Sequence, residues 1–328
     1  MSAMENNVNG ATINKKNGFA SRAAKRKIFY WLMIAIPLLQ VIIFYGYVNF
    51  NSLILAFQEY KVDAGTGRFY TVFSLANFKD VWAILTANIN LIKNSMVITI
   101  LEMIFGLGLG IFFSFYIYKK YPGASFFKVI LFLPSVLSGV ILTLLFKYIT
   151  GDVYVYLAKF FGATNPVALF NDPEMQFFIV LFYAIWISFG GVVLLLGGTM
   201  SGINEAVVES ARLEGVNFIQ EFWYITVPMV FPTIVTFIIV RLSAFFTNSF
   251  HLYTFFEGAA PVDIQTFGYK FFVDTKAATY VKPAGSDFLN RRLTYSEMAA
   301  VGLVFSALTY LVISFARWIA NKWGPSVD

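Results

Sequence analysis

The sequence predicts an all-α membrane protein that crosses the bilayer about six times. Of its 328 residues, 58% are hydrophobic and only 13% are charged, whereas soluble chains carry about 25% charged residues. The hydrophobic residues are gathered into long runs, and a membrane-spanning helix needs roughly 20 apolar residues. The predicted spans cover residues 28–50, 93–118, 125–148, 175–199, 228–256 and 297–320.

The composition also excludes several kinds of site. The chain has no cysteine and one histidine, His251, so disulfides, thiolate metal sites and a cysteine nucleophile are impossible. The basic residues follow the ends of the predicted spans, which membrane topology explains better than nucleic-acid binding does. We therefore expect no catalytic residue, no metal site, no cofactor held by this chain and no nucleic-acid partner.

Residues 1–27 are predicted to form a polar cytosolic tail ahead of the first span. The apolar run that begins at Ile28 is far too long for the core of a cleaved signal peptide. Lysine and arginine divide almost evenly between the two sides, but short loops carry most of the orientation signal. That signal comes from Arg22, Lys25, Arg26, Lys27, Lys119, Lys120 and Lys128. Both termini are therefore expected in the cytoplasm.

The remaining chain, residues 28–328, is predicted to be one transmembrane domain. With this orientation, the polar segment 200–227 lies in the cytosol. The loops predicted outside are 51–92, 149–174 and 257–296. The two longest of these are either small ordered caps or contact surfaces for an outside partner.

The longest patterned polar segment runs from Glu209 to Pro228, with the sequence ESARLEGVNFIQEFWYITVP. Its first half predicts a helix over 202–213, with one stripe formed by Ala206, Ser210 and Leu213. Gly215 can adopt the positive φ that ends a helix, so the chain is expected to reverse there.

The second half of this segment predicts another short helix. Asn217 is a suitable N-cap, and Pro228 suits the first turn of the fifth span. Apolar anchors are expected at Phe222, Tyr224 and Ile225. The whole segment is therefore interpreted as a helical hairpin that presents a surface to a soluble partner.

This hairpin resembles the EAA loop of bacterial ABC importer permeases, whose pattern is E-A-A, two residues, D-G-A, five residues, F, two residues, I, one residue, L-P. The matching positions are Glu209, Ala211, Gly215, Phe222, Ile225 and Pro228, and the mild departures are Ser210, Glu214, Val216 and Val227. The last span and tail, within 298–325, resemble those of carbohydrate-type permeases of the maltose-permease group.

The resemblance implies the fold and the partners of an ABC importer permease in the bacterial inner membrane. The hairpin would couple to a separate ATPase through Glu209, Ala211, Glu214, Gly215, Phe222 and Pro228. The chain lacks a G-x-x-x-x-G-K-[ST] loop, so ATP and Mg²⁺ would be held by the partner. The implied partners are a second homologous permease, two ATPase subunits, an extracytoplasmic solute-binding protein, membrane lipid and a sugar substrate.

Arg241 lies inside the fifth predicted span, where an ionisable side chain usually has a functional role. One interpretation is a structural ion pair with Glu102 of the second span. The other places Arg241 on the substrate path, where its guanidinium would bind a hydroxyl or carboxylate. In that case Phe245 and Asn248 share its helix face, Ser188 and Trp186 of the fourth span are candidates for the opposite wall, and the sugar is expected to be acidic.

The functional hypothesis is therefore a permease subunit that forms half of the path for a sugar or oligosaccharide. The alternatives are an ABC permease for another solute, an ion-coupled secondary carrier and a membrane-embedded enzyme. A secondary carrier predicts intramembrane carboxylates beyond Glu102, and an enzyme needs a nucleophile and a base, for which the chain offers poor candidates.

Overall fold

The computed structural model describes residues 24–281 and 293–325, so most of the predicted cytosolic tail lies outside the described residues. Within that part, six helices are long and apolar enough to cross a membrane. In chain order, these spans are Ala24–Ala56, Ile89–Tyr118, Gly139–Phe160, Pro173–Ser201, Phe218–Ser243 and Tyr295–Trp323. The prediction of an all-α polytopic fold is confirmed.

The third span differs from its predicted range of 125–148. A helix over Ala124–Val136 contains Pro134, which cannot donate a backbone hydrogen bond and disfavours an uninterrupted helix. The chain is then extended at Leu137, and the spanning helix begins at Gly139. It continues to Phe160, well into the predicted outer loop 149–174.

The fifth span was predicted over 228–256, which is wrong at both ends. The helical stretch begins ten residues earlier at Phe218, includes a π-helical turn over Glu221–Thr226, and ends at Ser243. Beyond it the chain turns, with positive φ at Phe250 and His251. A separate short helix, Leu252–Phe256, follows.

The segments at the other end of the spans from Gly215 form a small folded cap. An antiparallel hairpin pairs Gln58–Val62 with Phe69–Phe73, and the helix Ala76–Ala87 follows it. The second part of the cap is the helix Phe267–Ala277. Isolated bridges from Tyr60 to Val281 and from Thr279 to Thr294 join its parts. The described residues of the two longest outer loops therefore form an ordered cap, which is the first of the two alternatives given for them.

The second and fourth spans form the tightest helix contact of the core. A Cβ added at Gly106 would overlap the Ser188 hydroxyl, and one added at Gly110 would overlap Val192. Small residues permit such close approach in membrane helices. The first span is packed differently: its end, Val48–Ala56, contacts the sixth span, whereas nearly every side chain over 24–47 is exposed in the part of the chain that the structure describes.

Candidate functional site

The polar segment folds into two helices, Glu205–Leu213 and Phe218–Gln220, which together with their connection are called the polar hairpin. Gly215 has φ of +80°, and the Val216 N–H donates to the Ala211 carbonyl over 3.1 Å. Glycine is suited to this left-handed conformation because it has no Cβ. The predicted chain reversal at Gly215 is confirmed.

The predicted cap at Asn217 is also confirmed. Its side-chain oxygen accepts a hydrogen bond from the Gln220 N–H, and the Gln220 side chain accepts one from the Asn217 N–H, each over 2.9 Å. This reciprocal pair satisfies N–H groups that would otherwise lack partners at the start of the helix. The hairpin geometry is therefore fixed by local backbone chemistry.

The face of the hairpin that packs on the spans differs from the predicted stripe. Val208 and Ala211 are buried, whereas Ala206, Ser210 and Leu213 are exposed, Leu213 by 91%. In a helix of nine residues, two neighbouring stripes are almost equally apolar, so the contacts with the spans decide which one is buried. Phe222 is the buried anchor that was predicted, but Tyr224 is 78% exposed.

The predicted coupling residues thus fall into two groups. Ala211 and Phe222 are buried against the spans, and Pro228 is partly buried in the fifth span. The exposed group contains Glu209, Glu214 and Gly215. Apolar side chains are exposed beside them, at Leu213, Ile219 and Trp223. This free surface of acidic and apolar groups can bind a protein.

An ion pair beneath the hairpin was missed by sequence reasoning. Lys119, at the end of the second span, places its Nζ 2.5 Å from Oε1 of Glu221, and only 8% and 6% of the two side chains are exposed. We call it the hairpin pair. A glutamate within the apolar run FIQEFWYI was the available signal, but its partner is remote in sequence.

A second feature is a cavity of about 270 Å³ between the second, fourth and fifth spans. All four predicted path residues, Ser188, Arg241, Phe245 and Asn248, line it. Trp186 instead packs in an aromatic cluster with Phe146 and Tyr183. The structure therefore brings the path candidates together, apart from Trp186.

Arg241 both lines this cavity and forms an ion pair, so the two interpretations of its role are compatible. Its Nη1 donates to Oε1 of Glu102, and we call this the cavity pair. Arg241 Nε and Thr99 Oγ1 are buried with no hydrogen-bond partner among the described residues. Because unpaired buried polar groups are costly, these atoms are available to bind a polar ligand.

Phe245 and Asn248 reach the cavity for a reason other than helix periodicity. The helix ends at Ser243, and the next residues turn, with the Asn248 N–H donating to the Ala244 carbonyl over 2.8 Å. The Asn248 side chain accepts from the Phe250 N–H at the same distance. His251 packs edge-on against Tyr183, and burial lowers the pKa of its imidazole.

No group of three or more histidine, cysteine, aspartate or glutamate side chains in residues 24–281 and 293–325 is placed to hold a metal ion. The charged groups that line the cavity, Glu102 and Arg241, instead neutralise each other in an ion pair. This arrangement can bind and orient a polar solute, and the hairpin can bind a protein.

Comparison with known families identifies the family to which this combination of spans and hairpin belongs. The profile of the family described as "Binding-protein-dependent transport system inner membrane component" matches residues 103–324. The chain belongs to this family. The matched region includes the polar hairpin and five of the six spans, the second from Met103 onward, and it confirms the resemblance to ABC importer permeases.

Two curated relatives illustrate the range of the family. The chain is 26% identical over 180 residues to the maltose/maltodextrin transport system permease protein MalF of Vibrio vulnificus, covering 52% of this chain and 34% of the relative. It is 23% identical over 312 residues to the polygalacturonan/rhamnogalacturonan transport system permease protein YteP of Bacillus subtilis, covering 90% and 88%. The chain thus spans about a third of the length of the maltose permease.

A solved structure shows the same fold. A chain of the bacterial alginate ABC transporter, crystallised in complex with an alginate pentasaccharide-bound periplasmic protein, superposes with a TM-score of 0.70 at 18% identity. The superposition covers 91% of this chain and 96% of that one. The protein is therefore a multi-pass membrane protein with the fold of an ABC importer permease.

Proposed function

We propose that this chain is one membrane subunit of an ATP-driven importer and forms half of the translocation path for a sugar or oligosaccharide. Family membership supports this, and the observation that carries it is the polar hairpin, which joins two spans and leaves acidic and apolar groups exposed. In this role the chain performs no covalent chemistry, and a separate subunit hydrolyses ATP.

The hairpin would transmit motion from that ATPase. Glu209 and Glu214 are exposed acceptors for basic or amide groups of the ATPase, and Gly215 gives the tight turn between them and the second helix. Ala211, Phe222 and Pro228 hold the hairpin against the spans. The proposal therefore assigns docking to the exposed group and anchoring to the buried one.

The assembly proposed around the chain contains a second homologous permease, two ATPase subunits and an extracytoplasmic solute-binding protein. The cavity supports a second membrane subunit, because this chain encloses it only in part and a second subunit would complete its wall. The exposed first span must meet lipid or protein. With both termini in the cytoplasm, the polar hairpin faces the ATPases and the folded cap faces the binding protein.

Sugar as the substrate is supported by the relatives named above, and the cavity residues Ser188, Arg241, Phe245 and Asn248 are its proposed contacts. Aromatic rings can stack on sugar rings, while Arg241 can donate hydrogen bonds to hydroxyl or carboxylate groups. Two relatives are named for acidic polysaccharides. An acidic oligosaccharide is therefore the proposed substrate class.

The test is co-purification and uptake. The chain would be co-expressed with neighbouring permease, ATPase and binding-protein genes, purified in detergent, and reconstituted into vesicles. ATP-dependent uptake of galacturonate oligosaccharides is the expected result. Gly215→Pro should abolish uptake and association with the ATPase, because proline fixes φ near −65°. Gly198→Ala, at an open position of the fourth span outside the hairpin and the cap, should leave both intact.

Other outcomes separate the rival functions. ATP-dependent uptake of a peptide or polyamine instead of any sugar would leave an ABC permease with another substrate. Uptake driven by an ion gradient in vesicles that lack an ATPase would contradict the proposal and favour a secondary carrier.

A further inference from the structure

The hairpin pair and the cavity pair connect the same two spans. Glu102 of the second span binds Arg241 of the fifth, and Lys119 of the second span binds Glu221 at the root of the fifth. The second span thus supplies the acid of the cavity pair and the base of the hairpin pair, and the fifth span supplies the opposite group in each. The two pairs are separated by roughly 25 to 30 Å of helix, at a rise of 1.5 Å per residue.

The order of the pairs along the two helices is consistent with antiparallel spans in one register. From Ile89, the second span reaches the cavity pair first and the hairpin pair last, whereas from Phe218 the fifth span reaches them in the opposite order. A slip of either helix by one turn, about 5.4 Å, would break both pairs together.

Each glutamate also begins a π-helical turn, Glu102–Leu107 in the second span and Glu221–Thr226 in the fifth. Such turns widen a helix locally and are frequent at functional sites. Here they coincide with the points at which the two spans are joined.

The hairpin pair is enclosed by aromatic side chains. Lys119 Nζ lies 5.9 Å from the ring centres of both Phe115 and Tyr118. The Phe115 ring lies 4.9 Å from that of Phe218 and 5.2 Å from that of Phe222, the neighbour of Glu221. Because charges with so little water contact cannot separate cheaply, this junction should move as one body.

We propose that the second and fifth spans act as a single lever, in which the buried Lys119–Glu221 pair fixes the polar hairpin to the helices that line the cavity. Lys119 and Glu221 are positioning residues: they do not touch the substrate or the ATPase. Displacement of the hairpin is carried along both spans to Arg241 and Glu102. This inference rests on the proposed function.

The test measures coupling in the complete reconstituted complex. Lys119→Met and Glu221→Gln should keep ATP hydrolysis near the wild-type rate while the number of sugar molecules imported per ATP falls about ten-fold, within the usual range of coupling between sites. The double variant should lose no more than either single variant, because the residues act as a pair. Matched controls are Lys120→Met and Glu174→Gln, which remove the same charges from exposed positions outside the polar hairpin.

A measurement on the intact pair covers the case in which these variants fail to assemble. The chain has no cysteine, so nitroxide labels at Lys120→Cys and Tyr224→Cys, two exposed positions on either side of the junction, report the separation across it by electron paramagnetic resonance. The label separation should be the same in the nucleotide-free and the vanadate-trapped complex. A separation that shifts beyond the width of its nucleotide-free distribution would overturn the lever.

The two proposals fail differently. A wild-type chain that associates with no ATPase and imports nothing contradicts the proposed function. A wild-type complex that imports sugar, with Lys119→Met and Glu221→Gln importing as much per ATP as the controls, contradicts the lever alone.

Discussion

The two buried ion pairs are made of the same chemical groups but sit in different surroundings. The cavity pair borders an open volume of about 270 Å³, and Arg241 keeps a buried donor without a partner among the described residues. The hairpin pair is packed among aromatic rings, and its Lys119 ammonium lies over Phe115 and Tyr118. A charge beside a cavity can exchange its partner for a ligand, whereas an enclosed charge can only hold two helices together.

The largest difference between the two pairs is expected in the free energy of unfolding that is lost when one partner is removed. Lys119→Met leaves Glu221 buried without its partner, and removing one member of a buried pair costs about 3–5 kcal/mol. Arg241→Met leaves Glu102 beside a cavity that water can enter, so we expect a loss of about 1–3 kcal/mol. Unfolding in detergent, followed by tryptophan fluorescence, measures both. Equal losses would remove the distinction between the pairs.

The next effect is on uptake and concerns the cavity pair. Arg241→Ala should lower uptake of an acidic oligosaccharide about ten-fold or more, the equivalent of one charged hydrogen bond. Uptake of a neutral maltodextrin, if the transporter accepts it, should fall less. Arg241→Lys is the matched control, since it keeps the charge but loses the planar fork. Normal uptake of the acidic sugar by Arg241→Ala would show that the cavity pair is purely structural.

A smaller effect is expected where the hairpin is held by its own backbone. Asn217→Ala removes the reciprocal cap with Gln220 and should cost about 1 kcal/mol, detected as a lower unfolding midpoint. Asn217→Asp keeps a side-chain acceptor and should retain most of the stability. A drop as large as that of Lys119→Met would mean that the cap, and not the hairpin pair, dominates this region.

The smallest effect on stability is expected at the tip of the hairpin. Leu213 is 91% exposed, so Leu213→Ser should change the free energy of unfolding by no more than about 0.5 kcal/mol while weakening ATPase association in a pull-down. Val262→Ser is the control, because Val262 is 73% exposed in the cap and should affect neither. Unchanged ATPase association would exclude Leu213 from the docking surface.

The parts of the site that were predictable are those encoded locally. Gly215 and Asn217 act on their own backbone, so their residue type is enough to place the turn and the cap. The two ion pairs depend on groups far apart in the chain. Arg241 drew attention because a charge within a long apolar run needs a partner, whereas Lys119 looked like an ordinary orientation signal at a helix end.

The span boundaries show the same contrast between features that the local sequence reveals and features that it does not. Hydropathy located four of the six spans closely, but it could not detect the break after Pro134 or the end of the fifth span at Ser243. The residues that follow Ser243 include three phenylalanines, which count as membrane-compatible in any hydropathy window. Their turn is set by hydrogen bonds of Ala244 and Asn248 and by the positive φ of His251, none of which is visible as hydrophobicity.

The loosely attached first span has a consequence for the life of the protein in the cell. Among the described residues, almost every side chain over 24–47 is exposed, and the contacts of this helix with the sixth span come from Val48–Ala56. A partner that covers this helix stabilises the folded chain by mass action, so the stability of the chain rises with the concentration of that partner. In the proposed assembly, copies made in excess of that partner should then be the ones that membrane proteases remove, which would keep its subunits in proportion.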